Sequence, residues 1–106
     1  MEKEREPYMR NYEMVFIVQA DLDGEGLAAV RDKIGGFITS NGGQVASVDL
    51  WGRRRLSYPI AHQREGQYVL MRFGMDPVHL PELERIMKLD SRILRRLVRR
   101  SEEEEA

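Results

Sequence analysis

Apolar residues recur at two spacings along this chain, and the order in which the spacings alternate restricts the possible folds to a few. A spacing of two predicts a β-strand, because neighbouring side chains of a strand point to opposite faces, whereas a spacing of three to four predicts a helix. The predicted strands are Arg10–Gln19, Gln44–Ile60, Gln67–Met75 and a shorter, β-branched segment, Ile93–Arg100. Only the polar segment 61–66 separates the second strand from the third, so these two predict a long hairpin, with a bulge or bend at Gly52.

Two segments have the helical spacing, and each carries a single apolar stripe. The first follows the N-cap candidates Asp21 and Asp23 and stops at Asn41-Gly42-Gly43. The second begins at Asp76-Pro77, a pair suited to the cap and the first turn. Gly35-Gly36 weakens the first helix near its end, because each glycine costs about 0.8–1 kcal/mol relative to alanine. The stripes consist of Leu27, Val30, Ile34, Phe37 and Ile38, and of Leu80, Leu83, Ile86 and Met87.

The order strand, helix, strand, strand, helix, strand is typical of the ferredoxin-like split βαβ arrangement, an α+β fold. Both helices then cover one face of a four-stranded antiparallel sheet, and no predicted element remains for the other face. The residues expected to point outward there, on the two central strands, are Val15, Ile17, Tyr68 and Leu70. An exposed apolar patch usually marks a binding surface. The sequence therefore predicts binding of another macromolecule on this face, with self-association as the alternative.

A length of 106 residues suffices for one hydrophobic core and not for two. The absence of cysteine excludes a disulfide framework and a thiolate metal site, so we expect a cytoplasmic location. The first eight residues lack the apolar stretch of a secretion signal. We expect a loose N-terminal extension over residues 1–8, one domain over residues 9–100 and an acidic, solvated tail over residues 101–106.

The net charge of −1 conceals an uneven distribution along the chain. Residues 1–50 carry 5 basic and 9 acidic side chains, whereas residues 51–100 carry 12 and 5. Of the 17 cations 14 are arginines, whose planar guanidinium groups suit phosphate and interface contacts; a genome rich in G and C would also raise the arginine content. The arginines cluster at 53–55 in the hairpin and at positions 92, 95, 96, 99 and 100.

The arginine triplet lies in a predicted strand, so Arg53 and Arg55 should share one face while Arg54 points to the other. Beside Trp51, this triplet favours contact with RNA or protein, the alternative being a charged edge that blocks unwanted strand pairing. The segment 64–71 offers one aromatic residue where an RNA-recognition motif would have three. Base stacking of that kind is therefore not expected, and phosphate contacts that do not read the sequence are favoured.

No set of residues predicts catalysis or cofactor binding. His62 and His79 lack a cysteine or carboxylate at metal-ligand spacing, so we expect no metal site. The segment Gly24-Glu25-Gly26 lacks the third glycine and the lysine of a phosphate-binding loop. We therefore expect a protein that is not an enzyme and that needs no cofactor.

One longer motif resembles a known family. The segment Trp51-Gly-Arg-Arg-Arg-Leu-Ser-Tyr-Pro-Ile60 resembles the signature of the bacterial small-subunit ribosomal protein six family: a glycine, basic or polar residues, then Leu, Ser or Ala, Tyr, Pro and an aliphatic residue. Met9-Arg-Asn-Tyr-Glu13 resembles the opening of that family, and segments 66–71 and 93–98 lie where the family has its third and fourth strands. Arg96 departs from the pattern, because an apolar residue is expected at that position.

The resemblance implies a structural component of the platform of the small ribosomal subunit, without catalysis. It further implies pairing with ribosomal protein eighteen and binding to the central domain of small-subunit ribosomal RNA. The implied RNA-binding residues are Arg10, Arg92, Arg95 and Arg99. The implied partner-binding residues are Val15, Ile17, Trp51, Arg53, Arg54, Tyr58, Tyr68 and Leu70. A small-molecule regulatory domain or a self-associating domain of the same fold is the alternative; an acylphosphatase-like enzyme is weaker, because segment 19–23 is acidic and would repel a phosphate substrate.

Overall fold

The computed structural model describes residues 8–101; the predicted extension before residue 8 and the acidic run Glu102–Glu105 lie outside this range. The elements are strand β1 (Arg10–Gln19), helix α1 (Gly24–Ser40), strand β2 (Gln44–Ile60), strand β3 (Gln63–Met75), a 3-10 turn (Pro77–His79), helix α2 (Leu80–Lys88) and strand β4 (Ile93–Arg100). The strands form one antiparallel sheet in the order β2-β3-β1-β4. This confirms the ferredoxin-like α+β fold. Within the described range, no helix is both long and apolar enough to cross a membrane.

The core lies between one face of the sheet and the two helices. The two-residue alternation of β1 turns Tyr12, Met14 and Phe16 toward the helices, as predicted, and all three are buried. The ring of Tyr12 stacks on that of Phe73 in β3, with centroids 5.4 Å apart. The buried core residues are Tyr12, Met14, Phe16, Val18, Val30, Ile34, Ile38, Val69, Met71, Phe73, Met75, Leu83 and Met87.

Helix α1 begins and ends at the predicted signals. The Asp23 carboxylate accepts a hydrogen bond from the Gly26 amide at 2.8 Å, which satisfies one free N–H group of the first turn. The helix stops at Asn41, and Gly42 follows with a φ of 84°, a left-handed conformation that glycine adopts readily. The helix continues through Gly35-Gly36 because Ile34 and Ile38, on either side, are fully buried.

Helix α2 starts later than predicted. Asp76 caps a 3-10 turn, accepting a hydrogen bond from the Val78 amide at 3.0 Å, and the α-helix follows from Leu80. Pro81 lies in the first α-helical turn, where its missing N–H group has no intrahelical partner to lose. Leu83 and Met87 are the buried residues of the predicted stripe.

Strand β2 pairs with β3 through three irregularities. One falls at Gly52, which has a φ of 86°, as the sequence predicted. Another lies between Val45 and Ser47, so that Val45 and Val48 both face the helices, opposite Phe73 and Met71. A strict alternation would have put the two valines on opposite faces.

The third irregularity shapes the end of the hairpin. Arg55 pairs with Glu65 and Ile60 pairs with Gln63, so residues 56–59 of β2 stand opposite Arg64 alone. Strand β3 begins at Gln63 rather than at the predicted Gln67. The early part of β3 escapes prediction because its residues are polar and no buried face imposes an alternation on them. The turn itself consists of two residues with positive φ, Ala61 and His62.

Candidate functional site

We call the sheet face that is turned away from the helices the outer face. The cross-strand pairs define it: Val15 lies between Leu70 and Leu97, and Ile17 lies between Tyr68 and Arg95. The buried residues of both helices belong to the core on the opposite face. In the described part of the chain, therefore, no helix covers the outer face.

The four apolar residues predicted to be exposed lie on the outer face, but two of them are buried. The exposed fraction is 7% for Ile17 and 8% for Leu70, whereas Val15 and Tyr68 are half-buried. The hairpin end bends over Ile17: a Cβ atom on Gly66 would overlap the Cγ2 atom of Ile17 and lie 3.7 Å from Leu56. The prediction of a fully open apolar patch was therefore wrong at Ile17 and Leu70.

The exposed apolar side chains of the outer face lie nearer its two edges. Trp51 of β2 stacks on Tyr68 with ring centroids 6.4 Å apart and an interplanar angle of 13°. The Arg54 guanidinium lies 5.6 Å from the centre of the Trp51 ring, within cation–π range. Trp51 is 43% exposed. The irregularity at Gly52 places Trp51 against Tyr68, since it inserts one residue between Leu50 and Gly52 of the ladder.

The arginine triplet divides between the two faces as predicted. Arg54 pairs with Gly66 on the outer face, whereas Arg53 and Arg55 pair with Gln67 and Glu65 on the other face. Arg53 forms an ion pair of 3.1 Å with Glu65. Arg53 and Arg54, both predicted to bind one protein partner, therefore point away from each other.

The hairpin end also reaches the opposite edge of the sheet. The Arg95 guanidinium of β4 donates a hydrogen bond to the Tyr58 hydroxyl of β2. Strands β2 and β4 are the two edge strands, so this contact crosses the outer face above β1 and β3. It brings together one residue predicted to bind RNA and one predicted to bind protein.

A carboxylate on the outer face holds two arginines. Glu13 of β1 accepts hydrogen bonds from Arg99 at 2.8 and 3.2 Å and from Arg72 at 3.1 Å. These bonds, with that of Arg99 the larger effect, hold the pKa of Glu13 below its ordinary value. This cluster was not predicted, because Glu13 and Arg99 become neighbours only through the register of β1 and β4.

A second carboxylate holds Arg92. Asp90, whose side chain is 5% exposed, accepts hydrogen bonds from Nε and Nη2 of Arg92 at 2.9 and 2.7 Å and from Lys33 Nζ at 3.1 Å. The bidentate bond with Arg92 is the main reason that the pKa of Asp90 lies well below its ordinary value. Lys33 also ties α1 to the turn before β4.

The four arginines predicted to bind RNA do not form one compact patch. Arg10 lies at the start of β1 with its guanidinium 3.5 Å from the centre of the Tyr8 ring. Arg92 lies near the other end of β1, where its carbonyl oxygen accepts a hydrogen bond from the Gln19 amide. Nine residue-to-residue steps along the ten residues of β1 separate these ends, a distance of about 30 Å. Arg95 and Arg99 lie between them on β4.

Two features of β4 complete the surface. Leu97 was not among the residues predicted from the sequence to bind a partner. It is 65% exposed and lies on the outer face between Arg95 and Arg99. Only the β1–β4 register reveals it. Arg96 lies on the helix side, with its Nε atom 3.4 Å from Glu84 Oε1 of α2. This ion pair explains how a charge is accommodated where an apolar residue was expected.

The described residues contain no group of three or more His, Cys, Asp or Glu side chains that could hold a metal ion. The outer face presents flat aromatic rings and guanidinium groups. Some of these guanidinium groups already have an acceptor within the chain, as those of Arg72, Arg95 and Arg99 do. Such a surface is suited to docking a macromolecule.

Comparisons with known proteins agree on one family. The family model described as "Ribosomal protein S6" matches residues 11–100. The small ribosomal subunit protein bS6 of Moorella thermoacetica is 46% identical to this chain over 96 residues, which cover 91% of the chain and 98% of the relative. The bS6 protein of Symbiobacterium thermophilum is 46% identical over 95 residues, which cover 90% of the chain and 100% of the relative.

A solved structure agrees with the fold. The crystal structure of 30S ribosomal protein S6 from Thermotoga maritima aligns with a TM-score of 0.81 and 26% sequence identity. The alignment covers 88% of each chain.

Proposed function

This chain belongs to the ribosomal protein S6 family of the bacterial small ribosomal subunit, and we propose that it acts there without catalysis, by binding ribosomal RNA and a protein partner. Proteins of this family function on the ribosome in the cytoplasm, and the sequence likewise predicts a cytoplasmic location. The RNA proposed is the central domain of small-subunit ribosomal RNA, and the protein is ribosomal protein eighteen. One observation carries the proposal: no helix of the described residues covers the outer face, which presents exposed Trp51, Tyr58 and Leu97 among arginines.

For the protein partner, the proposed docking site is the outer face itself. Trp51, Tyr58 and Tyr68 provide rigid aromatic contact area, and residues of this kind commonly dominate binding energy. Val15 and Arg54 lie on the same face. Ile17 and Leu70 support this surface from below, because both are buried within the chain. Arg53 would contact the partner only if the partner wraps around the hairpin edge.

For RNA, the proposed contacts follow strand β4 and the two ends of β1. Arg10, Arg92, Arg95 and Arg99 extend over about 30 Å, which fits several phosphates of a backbone better than one pocket. Asp90 and Glu13 hold the guanidinium groups of Arg92 and Arg99 in fixed positions. A donor that is already fixed loses less conformational entropy when it binds a phosphate.

The RNA contacts are tested by single substitutions of Arg10, Arg92, Arg95 and Arg99 by glutamine. Each should reduce the slope of log affinity against log salt by about one unit, because one fewer phosphate is neutralised, without changing the preferred RNA sequence. The measurement is a salt titration of binding to central-domain RNA in the presence of ribosomal protein eighteen. Arg85→Gln, on α2, is the control and should leave the slope unchanged. Four unchanged slopes would reject the proposed RNA contacts.

The docking of the protein partner is tested by Trp51→Ala and Tyr68→Ala. Each should weaken binding to ribosomal protein eighteen by about 2 kcal/mol, or roughly thirtyfold, if the aromatic pair lies at the centre of the interface. Calorimetry without RNA measures this affinity. Leu89→Ala removes another exposed apolar side chain, outside the outer face, and should have no effect. Normal binding by both aromatic variants would contradict the proposed docking face.

A further inference from the structure

The end of the β2–β3 hairpin holds two arginines that the contacts proposed above do not use: Arg55, from the triplet that the sequence predicts to contact RNA or protein, and Arg64. Arg55 and Arg64 are both exposed, and neither guanidinium group forms an ion pair or a hydrogen bond with any described residue. They differ in this respect from Arg92, Arg95 and Arg99, each of which already has an acceptor in the chain. The guanidinium donors of Arg55 and Arg64 are therefore available to an external acceptor.

The two arginines border the same cleft. Residues 56–59 of β2 bulge out opposite Arg64, and a cleft of about 120 Å³ opens beside the bulge. Its lining consists of Arg55, Leu56, Ser57, Tyr58, Pro59 and Arg64. At ~30 Å³ per water molecule, this volume corresponds to roughly four waters. It has room for a phosphate group and not for a folded segment.

The cleft is held in shape from two sides. Leu56, 7% exposed, is packed inward beside Gly66, and Gly66 itself lies against Ile17. On the other side, the Tyr58 hydroxyl accepts the hydrogen bond from Arg95. Pro59, which follows Tyr58, restricts the backbone next to the second anchor. These contacts restrict the bulge before a ligand binds, which reduces the entropy cost of binding.

We propose that Arg55 and Arg64, with the Ser57 hydroxyl, bind one backbone phosphate of an RNA strand. Two guanidinium groups and a hydroxyl supply several donors to a single oxyanion. The same hairpin also carries Arg53 and Arg54, with Glu65 as its one acidic residue between positions 50 and 67, so the hairpin around the cleft has a positive net charge. The site rests on the proposed RNA-binding function and adds a contact at the end of the sheet where the hairpin projects.

The test is the double variant Arg55→Gln/Arg64→Gln in the salt titration with central-domain RNA and ribosomal protein eighteen. Loss of one phosphate contact should reduce the salt slope by about one unit, equivalent to about tenfold weaker binding at 0.1 M salt. The variant Arg31→Gln/Arg85→Gln changes the net charge equally and should leave the slope unchanged. The variant Arg55→Lys/Arg64→Lys retains both charges and should restore the slope, which separates a charge effect from a folding defect.

Three results would overturn the site. The glutamine variant could keep the wild-type salt slope, or the lysine variant could lose it as fully as the glutamine variant. Alternatively, the glutamine variant could lose affinity for ribosomal protein eighteen in the absence of RNA, in which case the cleft receives an acidic group of the protein partner.

A second measurement separates this site from the proposed function. In an NMR titration of the wild-type chain with a short oligouridylate, the Ser57 and Arg64 amide signals should shift, and the glutamine variant should abolish the shift. If these shifts occur while the wild-type chain fails to bind central-domain RNA, the phosphate site stands and the proposed function fails. If central-domain RNA binds while these signals stay still, the proposed function stands and the site fails.

Discussion

At the scale of single residues, two carboxylates hold arginine side chains in position. One is distant in sequence from its arginine, and the other is shielded from solvent. Glu13 holds Arg99 from 86 residues away, and Asp90 holds both Arg92 and Lys33. The sequence predicts which arginines occur near the strand ends. It does not predict their acceptors, because pairing depends on which side chains the sheet register and the turn before β4 bring together.

Asp90→Asn should lower the free energy of unfolding at pH 7 by about 2 kcal/mol, since a shielded carboxylate then no longer neutralises Lys33 and Arg92. This figure is below that of a fully buried pair because Lys33 and Arg92 are 44% and 34% exposed. Urea denaturation measures the difference. Asp32→Asn removes an exposed ion pair with Arg31 and should change stability by less than ~0.5 kcal/mol.

The same difference should depend on pH in one direction. The folded-state pKa of Asp90 is lowered, so its stabilising contribution is complete above the ordinary carboxyl value of 3.8. Below that pH the unfolded chain binds more protons than the folded one, and the contribution declines. The gap between wild type and Asp90→Asn should therefore shrink between pH 5 and pH 3. A gap that widens on acidification would contradict this assignment.

At the scale of elements, the hairpin shows both the reach and the limit of sequence patterns. The alternation of apolar residues predicts both long strands, and Gly52 correctly marks one bulge. The bulge near Ala46 and the start of β3 at Gln63 were not predicted. Neither position carries a Gly or Pro signal, and the hairpin end is shaped by contact with β1, a long-range effect that local spacing does not encode.

Gly66→Ala should destabilise the protein by about 2–3 kcal/mol, because the added methyl group would overlap Ile17 Cγ2 and lie 3.2 Å from the Val18 carbonyl oxygen. Thermal denaturation measures the loss. The matched control is Gly36→Ala, in helix α1, where an added Cβ meets no atom within 4 Å. It should stabilise the protein by about 0.5–1 kcal/mol through higher helix propensity. Equal effects of the two substitutions would show that the hairpin does not press against β1.

At the scale of the whole molecule, the two faces of the sheet differ in how they are covered. Within residues 8–101, one face packs against both helices, whereas the outer face is covered by no helix, and the hairpin end bends over it at Ile17. The order of the elements made this division predictable. The exposure of individual residues was not, because Ile17 and Leu70 are buried by neighbours that only the folded sheet supplies.

We expect the rates of amide hydrogen exchange to differ between the part of the sheet beneath the helices and the hairpin end. Amides of β1 and the central part of β3, which pair on both sides beneath the helices, should exchange slowest. Amides of residues 53–65 should exchange fastest within the sheet, because the apolar support of that segment is small and centred on Leu56. Mass spectrometry with peptide resolution measures the rates. Uniform protection along the hairpin would contradict this division.

In the part of the chain that the structure describes, one row of backbone amides and carbonyls of strand β4 has no neighbouring strand, and four of the eight residues of β4 are arginines. Before assembly, a second molecule approaching this margin would have to bring its own row of cations against them, and mutual repulsion opposes such a union. The side chains suited to a polyanion thus also keep unassembled copies from joining into larger sheets.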